Sequence, residues 1–221
     1  MRNLFSIDAP VMVFITRLAY SMYLGMLWLF CCIPVVTAGA ATTALFSVTL
    51  KMVKNEEGRI TSQFFHAFKS NFKQSTIVWL ILLLAGSILG VDGYALYHLH
   101  FQNMFWTILT AVYLVALAAY AIILMYIFPL MAYFDNTVPA MLRNSIMIGM
   151  RYLICTAVMA AIYFIMACIV INVLTPLIVF AEGLCAFLCS FLLINVFHAC
   201  EPHSEEIPSE TDRQTSGKLT D

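Results

Sequence analysis

Residues 35–53 read V-V-T-A-G-A-A-T-T-A-L-F-S-V-T-L-K-M-V, and whether this stretch crosses a membrane decides the fold. It is rich in Thr, Ala and Gly, so its hydropathy is weak for a span. Yet Gly39, Thr43 and Ser47 recur every four residues, with Ala40 and Ala44 beside them. Small residues at that spacing make a stripe along which another helix can approach closely inside lipid. The stretch is therefore expected to be a second span, packed in the interior of a helical bundle. A re-entrant or interfacial helix is the alternative that its length leaves open.

The flanks place it in a membrane protein. Of the 221 residues, 62% are hydrophobic and only 10% charged, with a mean hydropathy of +0.91. A soluble domain carries roughly 25% charged residues to cover its surface. On the N-terminal side, residues 11–33 form an apolar segment with a single charge at Arg17, long enough to span, and Pro34 interrupts it. That segment is too long for the apolar part of a cleaved signal peptide, so it is expected to stay as a span. The seven cysteines fall mostly inside apolar runs and include no C-x-x-C pair, which supports neither a disulfide framework nor a zinc site.

On the C-terminal side, the connection over residues 51–74 carries Lys51, Lys54, Arg59, Lys69 and Lys73. Ile60, Phe64, Phe65, Phe68 and Phe72 share one helical face within it, which predicts an amphipathic elbow helix at the membrane surface, capped by Thr61 or Ser62. Further spans are expected at residues 76–97, 105–128, 153–171 and 177–197. A second basic connection lies between Pro129 and Tyr152, with Asp135, Pro139, Arg143 and Arg151. Residues 1–198 then form an all-α, polytopic transmembrane domain. Residues 199–221, with half of the chain's twelve acids, read as a disordered acidic tail.

Six spans put both termini and the loops after spans two and four on the cytoplasmic side. All eleven Lys and Arg then fall on or near that side, as the positive-inside rule requires. Five spans would move Arg2 outside, so six is preferred.

The order I-P-V-V-T-A-G-A-A-T-T-A-L from Ile33, followed by F-F-H-A-F-K-S-N-F-K-Q from Phe64, resembles the YesL-like family of bacterial membrane proteins, a domain of unknown function. Pro34, Thr37, Gly39, Ala44, Leu45, Phe64, Phe65, Phe68, Asn71, Phe72, Lys73 and Gln74 match its pattern, and Tyr133-Phe-Asp-Asn fits loosely. Ala40 departs from it, since the family often has Pro there. The resemblance implies a multi-pass protein of a bacterial, Gram-positive cytoplasmic membrane. It also implies an accessory role in carbohydrate utilisation, because members are often encoded beside sugar-uptake and two-component sensing systems. It implies no catalytic residue.

Three ionisable residues fall inside expected spans and are functional candidates on that ground: Arg17, Asp92 and Glu182. Cost alone does not demand a function. The aliphatic residues of span three contribute about −3 to −7 kcal/mol to insertion, against about +2.5 to +3.5 for one central Asp. Asp92 reads as an interfacial carboxylate, and Arg17 as a side chain that snorkels to the inner interface. If spans three and six are neighbours, however, Asp92 and Glu182 could line an outward-facing polar cavity with Asn172, His98 and His100, and share a proton or a cation. Trp28, Trp79, Trp106, Tyr94, Tyr97 and Tyr126 read as interface anchors.

No Walker A loop, H-E-x-x-H or G-x-S-x-G occurs, and the loop after span four lacks the Glu-Ala-Ala…Gly coupling signature of binding-protein-dependent permeases. No metal, cofactor or nucleic acid is expected. The preferred reading is a non-enzymatic accessory or regulatory protein of a transport or sensing complex, with a homo-oligomer left open. The alternative is a small-solute transporter or channel that uses Asp92 and Glu182.

Overall fold

Pro34 has no amide hydrogen with which to continue a helix, and the chain turns there. In a computed structural model that describes residues 10–56, 58–98, 104–134, 137–172 and 178–200, helix α1 (Pro10–Cys32) ends just before it. A short 3-10 turn, Val35–Thr37, leads into α2 (Ala38–Val53). The Thr37 hydroxyl donates to carbonyls the turn would otherwise leave open, that of Pro34 at 2.7 Å and that of Cys31. Trp79 closes the turn from outside, its indole N–H donating to the Val35 carbonyl at 2.7 Å.

The remaining helices are α3 (Ile60–His98), α4 (Met104–Tyr133), α5 (Val138–Arg151), α6 (Leu153–Asn172) and α7 (Ile178–Cys200). The fold is all-α, with no strand among the described residues. Five segments are long and apolar enough to cross a membrane: Met12–Cys32, Val35–Val53, Ile60–His98, Met104–Tyr133 and Leu153–Val170. The sixth expected span lies in α7, a 23-residue helix whose fully described apolar stretch, Ala181–Phe197, is shorter.

Helix α2 is the centre of the bundle. It packs against α1, α3, α4 and α7. Ala40, Ala41, Ala44, Leu45 and Val48 have no solvent-accessible surface. The small-residue stripe is what allows this. A Cβ on Gly39 would lie 2.6 Å from the Trp79 Cβ and 2.7 Å from the Ser75 carbonyl oxygen, so α3 rests directly on the α2 backbone. The expectation of an internally packed helix over residues 35–53 therefore agrees with the structure.

The elbow helix does not stand apart as expected. Residues 60–98 form one continuous helix of 39 residues, about 58 Å long. No Gly or Pro interrupts residues 59–85, and Ser75 is buried against α2, so nothing breaks the hydrogen-bond ladder at the expected boundary. Its first half packs against α2, and its second half against α4. Helix α3 also starts at Ile60, which puts Thr61 and Ser62 inside the first turn rather than before it. The phenylalanine face does not simply rest on lipid. Phe64 is fully buried and stacks with Phe68 at 6.4 Å, whereas Phe65 and Phe72 stay exposed.

Two further boundaries differ. Helix α4 runs through Pro129 to Tyr133 instead of stopping at Phe128. Phe128, Pro129, Leu130 and Met131 are all buried, and packing against neighbours on both sides holds the helix past the missing amide. Ala199 and Cys200 end α7 rather than beginning the tail. The expected disordered tail otherwise lies outside the described residues, as do Arg2, His100, Asp135 and the Thr175-Pro176 turn.

Candidate functional site

The α2–α3 turn gathers the chain's polar chemistry into one place. Helix α2 ends at Val53, and two residues on Asn55 takes a φ of 62°. Asparagine tolerates this left-handed conformation better than most residues. The Glu56 amide then donates to Lys51 at 3.0 Å and the Asn55 amide to Met52 at 3.3 Å, the double bond of a Schellman cap. The Asn55 side-chain oxygen in turn accepts from the Arg17 guanidinium of α1. Arg17 is thus bonded to the turn, in keeping with a position near a span end. Beside it the Tyr23 and Thr61 hydroxyls pair at 3.2 Å.

Three clefts open around this turn. The largest, about 810 Å3, is lined by Tyr20, Tyr23, Arg59, Thr61, Ser62 and Phe65, among others. A second, of about 280 Å3, lies between Ser47 and Lys51 of α2 and Gln63, His66, Ser70 and Asn71 of α3. A third, of about 300 Å3, includes Lys51, Lys54, Glu56 and Tyr133. Lys54 Nζ donates to the Tyr133 hydroxyl at 2.9 Å and sits 4.3 Å from the ring centroid, which ties the turn to the end of α4. The result is a grooved, basic end with exposed Lys51, Arg59, Lys69 and Lys73.

The motif positions find structural roles here and along α2. Pro34 and Thr37 make the turn, Gly39 admits α3, and Phe68 and Phe72 meet edge to face at 5.5 Å. Asn71 donates from its side chain to the Ala67 carbonyl at 3.2 Å and lines the second cleft.

Asp92 and Glu182 are not brought together. Helix α7 packs against α1, α2 and α6, whereas α3 packs against α2 and α4, so the neighbour relation that a shared cavity needs is not met. The cause is the α1–α7 crossing. A Cβ on Gly183 would lie 2.0 Å from the Ser21 carbonyl oxygen and 2.8 Å from the Gly25 amide, so the two backbones touch and α7 is held on the α1 side. Glu182 accordingly lies within electrostatic reach of Cys32 of α1, Tyr163 of α6 and Cys185 of its own helix. Asp92 instead lines a cleft of about 330 Å3 between α3 and α4, with Trp106 and Tyr113. The side chain of Asn172 and the whole of His100 lie outside the described residues.

Sequence reasoning missed the Ser21, Gly25 and Gly183 contact. Its signal was present, because S-x-x-x-G at residues 21–25 repeats the small-residue spacing of α2. Among the described residues, no three of His, Cys, Asp and Glu are placed to hold a metal ion.

Comparison with known proteins gives relatives of the expected kind. Residues 21–93 match the family described as a protein of unknown function, DUF624. That segment begins in α1, contains all of α2 and the α2–α3 turn, and ends just after Asp92. The chain is 28% identical over 196 residues to the uncharacterized protein YesL of Bacillus subtilis (strain 168), covering 87% of this chain and 90% of YesL. It is also 28% identical over 152 residues to the uncharacterized protein YteU of the same organism, covering 67% of this chain and 66% of YteU. No solved structure matches. The resemblance carried by Pro34, Thr37, Gly39 and the phenylalanine run is thereby borne out: this all-helical chain, with several helices apolar enough to cross a membrane, is similar to the YesL-like proteins of unknown function and carries a DUF624 match over residues 21–93.

Proposed function

We propose that this protein is a non-enzymatic accessory or regulatory component of a membrane transport or sensing complex in a bacterial cytoplasmic membrane. Both termini and the basic end then face the cytoplasm, as the distribution of Lys and Arg favours. The observation that carries the reading is the grooved basic end at the α2–α3 turn. Three clefts meet there, lined mostly by residues of the segment that matches DUF624, and Lys51, Arg59, Lys69 and Lys73 are exposed around them. A charged, furrowed surface with hydroxyl and amide groups suits an acidic partner surface. The link to carbohydrate uptake or sensing rests on the family resemblance alone. The transporter alternative loses its main support, because Asp92 and Glu182 do not share a cavity.

The test is crosslinked purification of the tagged protein from its native membrane, alongside a Lys51→Glu, Arg59→Glu, Lys69→Glu variant. The reading expects transporter subunits or a sensor kinase in stoichiometric amount with the wild type, and their loss from a variant of unchanged thermal stability. Recovery of the wild type alone would refute it, as would equal recovery of partners by both proteins.

A further inference from the structure

Among the described residues, the second half of α3 and the first half of α4 pack together with almost no buried side chain and are apolar on nearly every side. Val91, Tyr94, Tyr97, Phe105 and Val115 are each more than two-thirds exposed. In that arm Asp92 is an exposed charge among apolar side chains. No described side chain makes a hydrogen bond or ion pair with it, and its surroundings in the cleft are Leu89, Leu109, Val112 and Ala116 with the rings of Trp106 and Tyr113. The two helices approach closely beside it. A Cβ on Gly93 would lie 2.4 Å from the Tyr113 hydroxyl oxygen, so the glycine leaves room for that tyrosine to lie against α3 in the cleft that Asp92 lines.

An uncompensated carboxylate near hydrocarbon is costly, and a cation offsets that cost. The kind of cation follows from the walls. A metal ion of the hard class wants six or more oxygen ligands, and the cleft offers a single carboxylate. An organic ammonium needs one counter-ion and gains from aromatic walls, and Asp92, Trp106 and Tyr113 line the same cleft. The cleft volume of about 330 Å3 lies at the lower end of small-molecule sites, roughly 300 Å3 upward. Asp92 is six residues, about 9 Å, from the end of α3, beside Tyr94, Tyr97 and Trp106. Such aromatics mark the depth at which headgroups meet hydrocarbon, so a charged group can reach the cleft while its apolar part remains in lipid.

We infer that the α3–α4 cleft binds an organic ammonium group, with Asp92 as counter-ion and the Trp106 and Tyr113 rings as walls. The ammonium is supplied either by an aminophospholipid headgroup or by a soluble amine. This site is independent of the basic docking end, and its presence or absence leaves the accessory reading untouched.

The test uses the full chain in nanodiscs. Native mass spectrometry after release from equal phosphatidylethanolamine and phosphatidylglycerol reads the lipid source. Equilibrium binding of radiolabelled tetraethylammonium in phosphatidylglycerol alone, which carries no ammonium, reads the soluble source. Wild type is expected to retain one of the two probes, with Asp92→Asn weakening it roughly tenfold or more and Asp92→Glu keeping it. The Glu variant and an unchanged elution profile separate loss of the site from loss of the fold. Selective retention of phosphatidylethanolamine assigns the lipid, and tetraethylammonium binding alone assigns a soluble amine. Equal retention of both probes by wild type and Asp92→Asn overturns the inference.

Discussion

Gly183 shows how one hydrogen atom in place of a methyl group sets the arrangement of whole helices. Its neighbours are backbone atoms of Ser21 and Gly25, which no rotamer change can move. Gly183→Ala should therefore force α1 and α7 apart, at a cost of about 1–3 kcal/mol. Gly90 on α3 meets nothing within 4 Å, so Gly90→Ala should be neutral or stabilising by up to about 1 kcal/mol. Thermal unfolding of both variants in one detergent checks this, and a matched loss in both would contradict the close-contact account. Asn55 offers a second case. Asn55→Gly keeps the left-handed cap and loses only the acceptor for Arg17. Asn55→Val must pay about 1–2 kcal/mol for the backbone conformation, so Val should melt well below Gly in the same assay.

Among the elements, α2 is held by hydroxyl pairs as well as by close approach. Ser75 of α3 donates to Thr43 at 3.0 Å, and Thr43 passes its own hydrogen to the Gly39 carbonyl at 3.0 Å. Ser190 of α7 pairs with Thr49 at 2.9 Å. Such bonds between membrane helices are worth roughly 0.6 kcal/mol each. A double-mutant cycle of Thr49→Ala and Ser190→Ala should give a coupling of about that size, and zero coupling would mean that the two helices do not meet there. The stripe of Gly39, Thr43 and Ser47 was legible in the sequence because small residues on one helical face have few other uses inside lipid. The continuity of α3 was not legible. Its lysines and phenylalanines announced a change of environment at residue 75, but a change of environment does not break a helix without a Gly, a Pro or a competing cap. Pro129 misled in the opposite direction, since burial between neighbours offsets one lost amide.

At the scale of the whole molecule, the apolar segments, the turn at Pro34 and the family likeness could all be read in advance from periodicity and order along the chain. The relation of Asp92 to Glu182 could not, because which helices become neighbours depends on contacts far apart in sequence, above all Gly183 against Ser21. The molecule that results has a compact part around α2, a grooved basic end and an apolar two-helix arm. Its central feature is the position of α2 between α3 and α7, and cysteine crosslinking tests this most directly. With the seven native cysteines replaced by alanine, Thr43→Cys with Ser75→Cys and Thr49→Cys with Ser190→Cys place thiols where hydroxyls now sit 3.0 and 2.9 Å apart. Mild oxidation in native membranes should close both pairs to disulfides at high yield, since their geometry suits a bond whose Cβ atoms lie about 3.5–4.5 Å apart. Failure of both pairs, in variants that express and elute like the wild type, would show that α2 lies outside the bundle and would contradict the account.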